Sequence, residues 1–280
     1  MANTTLRCGR IKYTNDLPVY AAFDAGAIAY PGTLHSDVPS NLNAMLLAGE
    51  LDLSPISAFA YAKNADRYVL LPDLCIGARR DVISVVLVSR TPPALLDGAT
   101  IVLTQESASG ANLLRVLLKR RYGVEANFVE SGHPLEAARS GQPALLIGDT
   151  AIDALLELPQ EYVYDLGVLW HDWTGEQTVF AVWAARKEAY DAEPDAVRAC
   201  MHALTDAYTW GRAHIDHVVA EAQTIRPRPS GFYENYYAKL NFMFHSAAQN
   251  GLAAYCRELA AIGAIDRVPP ITPEVIGVSR

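Results

Sequence analysis

Cysteine is scarce in this chain. Cys8, Cys75, Cys200 and Cys256 are the four it has, they are widely spaced, and no C-x-x-C pair occurs. That excludes a small disulfide scaffold and a cysteine-built zinc site, and buried reduced thiols in a cytosolic protein are expected. No stretch is apolar for long enough to cross a bilayer. No charged segment followed by an apolar one opens the chain, so no secretory leader is expected. Basic residues number 23 against 31 acidic ones, for a net charge of −8 with no Lys/Arg run. Such a surface suits neither nucleic acid nor an anionic membrane as partner, although a local pocket can still receive a small anion. The seven histidines do not cluster. His214 and His217 lie three apart on an expected helix, but no further ligand completes a metal motif, so no metal is expected. Repeats and low-complexity tracts are absent, and no feature of the sequence sets an oligomeric state.

What is present is a well-mixed globular composition. Of the 280 residues, 51% are hydrophobic and 19% charged, which excludes a disordered chain and suggests one large or two medium domains. Strand and helix patterns alternate, which predicts an α/β fold with largely parallel sheets. Residues 40–48 have apolar positions at helical spacing and end at Gly49, a natural helix terminator. Residues 51–54 read as a strand and 57–64 as a short helix. Residues 82–88 form the continuous apolar run of a strand buried on both faces. Thr91-Pro92-Pro93 then makes a stiff break, after which 100–104 reads as a strand and 110–121 as an amphipathic helix. Short elements follow at 127–129, 135–139, 144–147 and 150–156, and 179–184 is another apolar strand. His171-Asp172-Trp173-Thr174 reads as a loop entering a second crossing. From Glu193 onward the pattern is helical, interrupted by Pro227-Arg228-Pro229. Two lobes with two crossings are therefore expected, residues 1–88 with 181–280 in one and 89–180 in the other. That arrangement resembles the two-hinge periplasmic-binding-protein architecture (type II), whose lobes close on a ligand.

The candidate site residues sit where strands hand over to helices, the edge at which open α/β sheets bind ligands. Asn15 follows Tyr13-Thr14 and precedes Asp16-Leu17-Pro18; it reads as a cleft amide or, on spacing alone, more readily as a turn or cap residue. Ser57 is a helix cap whose hydroxyl and neighbouring N–H groups also suit an anion. Ser84 is the polar residue in the 82–88 run, either bonded to backbone or lining the cleft at the crossing. The hydroxyl-rich segment from Thr104 to Ala111, with Ser107, Ser109 and Gly110, favours a carboxylate or phosphate at a helix N-terminus. It is not a P-loop, because the Gly-Lys-Ser/Thr ending is missing. Gly148 and Asp149 end a buried strand, Asp149 being a helix cap or a hydrogen-bond acceptor or base. Phe232-Tyr233-Glu234-Asn235-Tyr236-Tyr237 reads as helix packing.

Four motifs occur in order: Gly9-Arg10-Ile11-x-Tyr13-x-Asn15-x-Leu17-Pro18, Leu51-Asp52-Leu53-Ser54-Pro55-Ile56-Ser57, Ser84-Val85-x-Leu87-Val88-Ser89, and Leu146-Ile147-Gly148-Asp149. Together they resemble the chorismate dehydratases of the futalosine route to menaquinone, over most of the chain. Ala261-Ile262-Gly263-Ala264-Ile265 also fits, while Lys12, Thr14 and Asp16 stand where more apolar residues are expected. The resemblance implies a hydro-lyase that removes water from chorismate to give 3-[(1-carboxyvinyl)oxy]benzoate without a cofactor. It implies Asn15 and Ser84 as the residues nearest the reacting ring, with Ser57, Ser107 and Ser109 holding carboxylates beside Gly148 and Asp149. It further suggests that the substrate's enolpyruvyl carboxylate takes the ring proton, since the sequence shows no strong general base. Two other readings compete. One is the naphthoate-forming enzyme of the same pathway, which relies on a cleft histidine that no strand-end motif here supplies. The other is a solute-binding protein serving a transporter, which the fold alone permits.

Overall fold

The computed structural model describes residues 5–274. Its strands are β1 (Arg7–Ile11), β2 (Thr33–Asp37), β3 (Leu53–Ser57), β4 (Tyr68–Ala78), β5 (Val85–Val88), β6 (Thr100–Thr104), β7 (Asn127–Ser131), β8 (Ala144–Ile147), β9 (Val163–Asp165), β10 (Thr178–Arg186) and β11 (Leu240–Met243). They form two sheets: a six-stranded one in the order β11-β4-β10-β3-β1-β2 and a five-stranded one in the order β7-β6-β8-β5-β9.

The expected parallel character holds only in part, and both sheets are mixed. β1 runs parallel to β2 and β3, and β6 parallel to β7 and β8. β10 is antiparallel to β3 and β4, β11 to β4, and β5 to β8 and β9. β5 and β10 are the strands the chain enters when it changes sheet, whereas β11 follows β10 within the same sheet. β5 itself, placed with the first lobe by its position in sequence, pairs with β8 from Val85↔Ile147 to Val88↔Ala144 and so belongs to the five-stranded sheet. The outward crossing therefore lies in residues 79–84. The return runs through the helix Leu166–Thr174 to β10. That helix replaces the loop expected at residues 171–174. Asp165 explains it, because its carboxylate caps the first turn by accepting from Gly167 N and Val168 N at 2.8 and 3.1 Å.

Burial follows the strand period. Val85 and Leu87 join the large core that links both sheets, while Val86 and Val88 join a smaller cluster with Val102 and Leu146. Every residue of β3, β5 and β8 is buried. Trp183 on β10 and Trp170 on the returning helix are fully enclosed. β1 and β3 approach so closely that a Cβ on Gly9 would lie 2.1 Å from Ser54 Oγ, which requires glycine there. The longest strand, β4, escapes the sequence pattern because Pro72-Asp73 bends it, with Asp73 at φ +69° and an irregular register against β10. His214 caps one helix and precedes the next, so it does not share a helix with His217.

Candidate active site in the interlobe cleft

β1, β3, β6 and β8 each end on the same cleft. β1 is followed by a tight turn, Thr14–Asp16, and then by the helix Leu17–Asp24. β3 hands over at Ser57 to the helix Ala58–Lys63, β6 at Ser107 to Ala108–Val116, and β8 to Gly148–Glu157. The cleft, about 610 Å³ with its mouth included, is lined by Asn15, Ser57, Ser84, Ser107, Ser109 and Gly148, with Tyr13, Phe180 and Leu240 among its walls. Six of the seven site residues expected from sequence thus converge. A larger hollow of about 1590 Å³ between Tyr68 and Pro270 contains none of them.

The hydroxyls differ in what they have left to offer. Ser57 Oγ accepts from Ala60 N at 3.0 Å and Asn43 Nδ2 at 3.4 Å, and Asn43 Oδ1 fixes Ser57 N at 2.9 Å. Ser107 Oγ accepts from Gly110 N at 3.0 Å. Both oxygens act as caps, and among the described residues neither O–H has an acceptor, so each can donate to an anion. Ser109 lines the cleft too, but its proton goes to Phe180 O at 2.8 Å while its oxygen accepts from Phe59 N at 3.2 Å. It ties the two lobes together and has little left for a ligand. Ser84 donates to Val82 O at 3.3 Å and its carbonyl receives Gly148 N at 2.8 Å.

Asn15 Oδ1 is buried with no hydrogen-bond partner among the described residues. An unpaired interior acceptor costs about 1–3 kcal/mol, a cost that a donor reaching it from the cleft would relieve. Asp149 is the exception among the expected residues. It stands behind the cleft wall, where Oδ1 accepts from Thr14 Oγ1 at 3.0 Å and faces Arg228 at 3.8 Å. Its carboxylate is engaged there as an acceptor. Gly148 adopts φ +56°, and a Cβ on it would meet the Tyr13 ring at 3.4 Å, so the ring lies flat against backbone.

Several contributors lie outside the site residues expected from sequence. Tyr13 donates its hydroxyl to Glu106 across the cleft, and burial followed by that carboxylate pushes its pKa well above the usual phenol range. It is therefore a neutral donor and no base. Asp165 Oδ2 accepts from Val82 N and Ile83 N at 3.0 and 2.6 Å, holding Ile83 at φ +54° just before Ser84. Burial raises the Asp165 pKa, against four backbone N–H bonds that lower it. Asp16, beside Asn15, is fully enclosed, and desolvation lifts its pKa to about 8. Among the described residues no group of His, Cys, Asp and Glu could hold a metal ion. None of their helices is long and apolar enough to cross a membrane.

In fold, the chain is similar to a protein from Archaeoglobus fulgidus (TM-score 0.73, 17% identity, covering 95% of this chain and 100% of that one). It is also similar to the periplasmic aliphatic sulphonate-binding protein of Escherichia coli (TM-score 0.66, 16% identity, 97% and 94%). The architecture is thus the periplasmic-binding-protein fold. In sequence it is 34% identical over 242 residues to chorismate dehydratase of Thermus thermophilus, covering 81% of this chain and 86% of the relative. It is 26% identical over 227 residues to 1,4-dihydroxy-6-naphtoate synthase of the same organism, covering 79% and 80%. The family described as menaquinone biosynthesis matches residues 6–261, and the chain belongs to that family.

Proposed function

We propose that this protein is a chorismate dehydratase, a hydro-lyase that works without cofactor or metal in the cytosol. One observation carries the mechanism: among the described residues Tyr13 is the ionisable side chain lining the cleft, burial raises its pKa, and the Glu106 carboxylate across from it is occupied in accepting the Tyr13 hydroxyl. Water must leave as a ring C–H and a ring C–OH bond break, and the electron pair from C–H enters a ring that becomes aromatic. That gain supplies the driving force, so the protein's task is to orient the substrate and keep other water out. Chorismate brings two carboxylates. The free O–H groups of Ser57 and Ser107, each at a helix N-terminus, are suited to hold one of them. The other, on the enolpyruvyl arm, takes the ring proton in place of a protein base. Asn15, with its unpaired Oδ1, orients that arm or the departing hydroxyl, and Ser84 lies beside it.

The family's naphthoate-forming relative is disfavoured because no histidine lines the cleft among the described residues. A solute-binding role is disfavoured by sequence, since the 34% identical relative is an enzyme while the binding-protein likeness is one of fold. The test is to incubate the purified protein with chorismate, without metal or nucleotide, and to follow mass and ultraviolet absorbance. Loss of one water with appearance of an aromatic enol ether is expected. Unchanged chorismate overturns the reading.

A further inference from the structure

Pro227-Arg228-Pro229 lies between the helices Ile215–Ile225 and Phe232–Lys239, and its central side chain is 6% exposed. A charge is rarely enclosed to that degree without partners that define its position. Here the prolines fix the backbone on either side of Arg228 and remove an N–H at each. Gln223 then clamps Arg228 itself, with Oε1 accepting from Arg228 N at 2.8 Å and Nε2 donating to Arg228 O at 3.2 Å. Thus a rigid mount presents the guanidinium.

It is presented to the other lobe. Arg228 Nη1 donates to Asp153 Oδ1 at 2.5 Å, and Nη2 donates to the carbonyl of Asp149 at 3.1 Å. Arg226 reaches the second oxygen of Asp153, so both carboxylate oxygens are engaged. Asp149 and Asp153 belong to the helix Gly148–Glu157, which starts at the cleft. Asp149 Oδ1 in turn accepts from Thr14 Oγ1 at 3.0 Å. Thr14 is 2% exposed, and its carbonyl accepts from Tyr237 Oη at 2.9 Å. Thr14 is the residue immediately before Asn15, in the same tight turn.

We propose that Arg228 is a positioning residue: by gripping the helix Gly148–Glu157 it lets Asp149 lock the Thr14–Asp16 turn, and so Asn15, in its working place only when the lobes are closed. Tyr237 holds that turn from its own lobe and Asp149 holds it from the opposite one. Opening the cleft removes the Asp149 contact and leaves the turn held from one side. Asn15 is therefore placed for reaction after substrate is enclosed, which keeps its carboxamide from being fixed around bulk water. Asp149 serves here as the relay between Arg228 and Thr14. The positional link stands on contacts alone; its catalytic consequence rests on the dehydratase reading.

The experiment compares wild type with Arg228→Gln, Asp153→Asn and Thr14→Val in two measurements. The first is deuterium uptake by the segment 11–17, with β6 as an internal control. Uptake of the segment is expected to rise several-fold in Arg228→Gln and Asp153→Asn, although residue 228 is more than two hundred positions away in sequence, while β6 stays unchanged. The second is steady-state kinetics on chorismate. A small misplacement of a reacting group can cost about 100-fold, so kcat is expected to fall roughly 10- to 100-fold with KM shifted less than about threefold, and Arg228→Lys restores part of the loss. Thr14→Val, which deletes only a hydroxyl, gives the same kinetic pattern even if the buried-charge variants fold poorly. Unchanged uptake at 11–17 in the folded variants, or wild-type kcat in Thr14→Val, overturns the proposal. If the wild-type protein leaves chorismate unchanged, the dehydratase reading fails, and the exchange comparison still decides the link.

Discussion

The Tyr13 hydroxyl donates to the Glu106 carboxylate from the opposite side of the cleft, so two residues 93 positions apart in sequence join the two lobes. Tyr13 follows β1 in the six-stranded sheet's lobe, and Glu106 follows β6 in the other. Their bond spans the cleft. Hydrogen bonds to charged groups contribute about 1.5–3 kcal/mol when well enclosed, and this one is only part-buried. Tyr13→Phe keeps the ring against Gly148 and deletes the donor. The expected result is a rise of about tenfold in KM for chorismate, equivalent to ~1.4 kcal/mol, with kcat changed less than threefold. Unaltered KM would show that closure does not depend on this pair.

Asp16 gives a prediction in pH. Its carboxyl is 1% exposed; Oδ2 accepts from Ile11 N at 3.1 Å and Oδ1 has no partner among the described residues. Burial lifts the pKa from 3.8 to about 8. The folded protein therefore binds this proton more tightly than the unfolded chain does. The stabilising contribution is complete below about 3.8 and is lost as pH rises through about 8. Asp16→Asn retains an acceptor for Ile11 N and does not titrate. Its unfolding free energy relative to wild type should therefore climb between pH 4 and 8, by no more than about 1.4 kcal/mol per pH unit, that of one proton, and its melting temperature should rise with it. Parallel melting curves for the two proteins across that range would contradict the assignment.

Ser57 and Ser107 make a matched pair. Each caps a helix with its oxygen and keeps its proton free among the described residues. Losing a serine cap costs about 1 kcal/mol, so Ser57→Ala and Ser107→Ala should each lower thermal stability modestly. Each should also raise KM for chorismate roughly 10-fold, the value of one hydrogen bond to a charged group, while kcat stays within a few-fold. Ser109→Ala is the contrast. Its hydroxyl bonds Phe180 O and Phe59 N, so stability should suffer more than KM. A KM effect in Ser109→Ala as large as in the other two would place a carboxylate at Ser109 after all.

The part of this site that the sequence exposes is the part encoded by adjacent residues. β6 was readable over its whole length, and Ser57 and Ser107 were readable as caps, because an apolar run followed by a small polar residue and a helical pattern is local information. Asn15 was placed at a strand-to-helix turn for the same reason. What the sequence hid are partners brought together by the tertiary fold. Glu106, Asp165 and Arg228 have no neighbouring pattern that announces them, and each acts on a residue 75 or more positions away: Tyr13, Val82 with Ile83, and Asp153. Asp149 was legible as a strand-end acid. Which way it faces depends on Thr14 and Arg228, and no spacing rule contains that. β4 was lost to Pro72-Asp73, where the local signal for a break is real and the sheet absorbs it as a bend.

Asn15 and Asp149 together discriminate between a base supplied by the protein and one supplied by the substrate. Asp149→Asn keeps an oxygen to accept the Thr14 hydroxyl, so the turn carrying Asn15 is preserved while the carboxylate is gone. If the substrate's own carboxylate takes the proton, turnover of chorismate should stay within about tenfold of wild type, and its pH profile should be unchanged. Asn15→Ala removes the buried amide oxygen that lacks a partner. Deleting an unsatisfied acceptor relieves a penalty of about 1–3 kcal/mol. The melting temperature should therefore hold or rise, while kcat falls by about 100-fold or more, as for a group that orients the reacting arm. Loss of activity in Asp149→Asn with normal chorismate binding would make Asp149 the base and leave Asn15 a structural turn residue. Retained activity in Asp149→Asn beside an inactive, well-folded Asn15→Ala would assign the proton to the substrate and the orientation to Asn15.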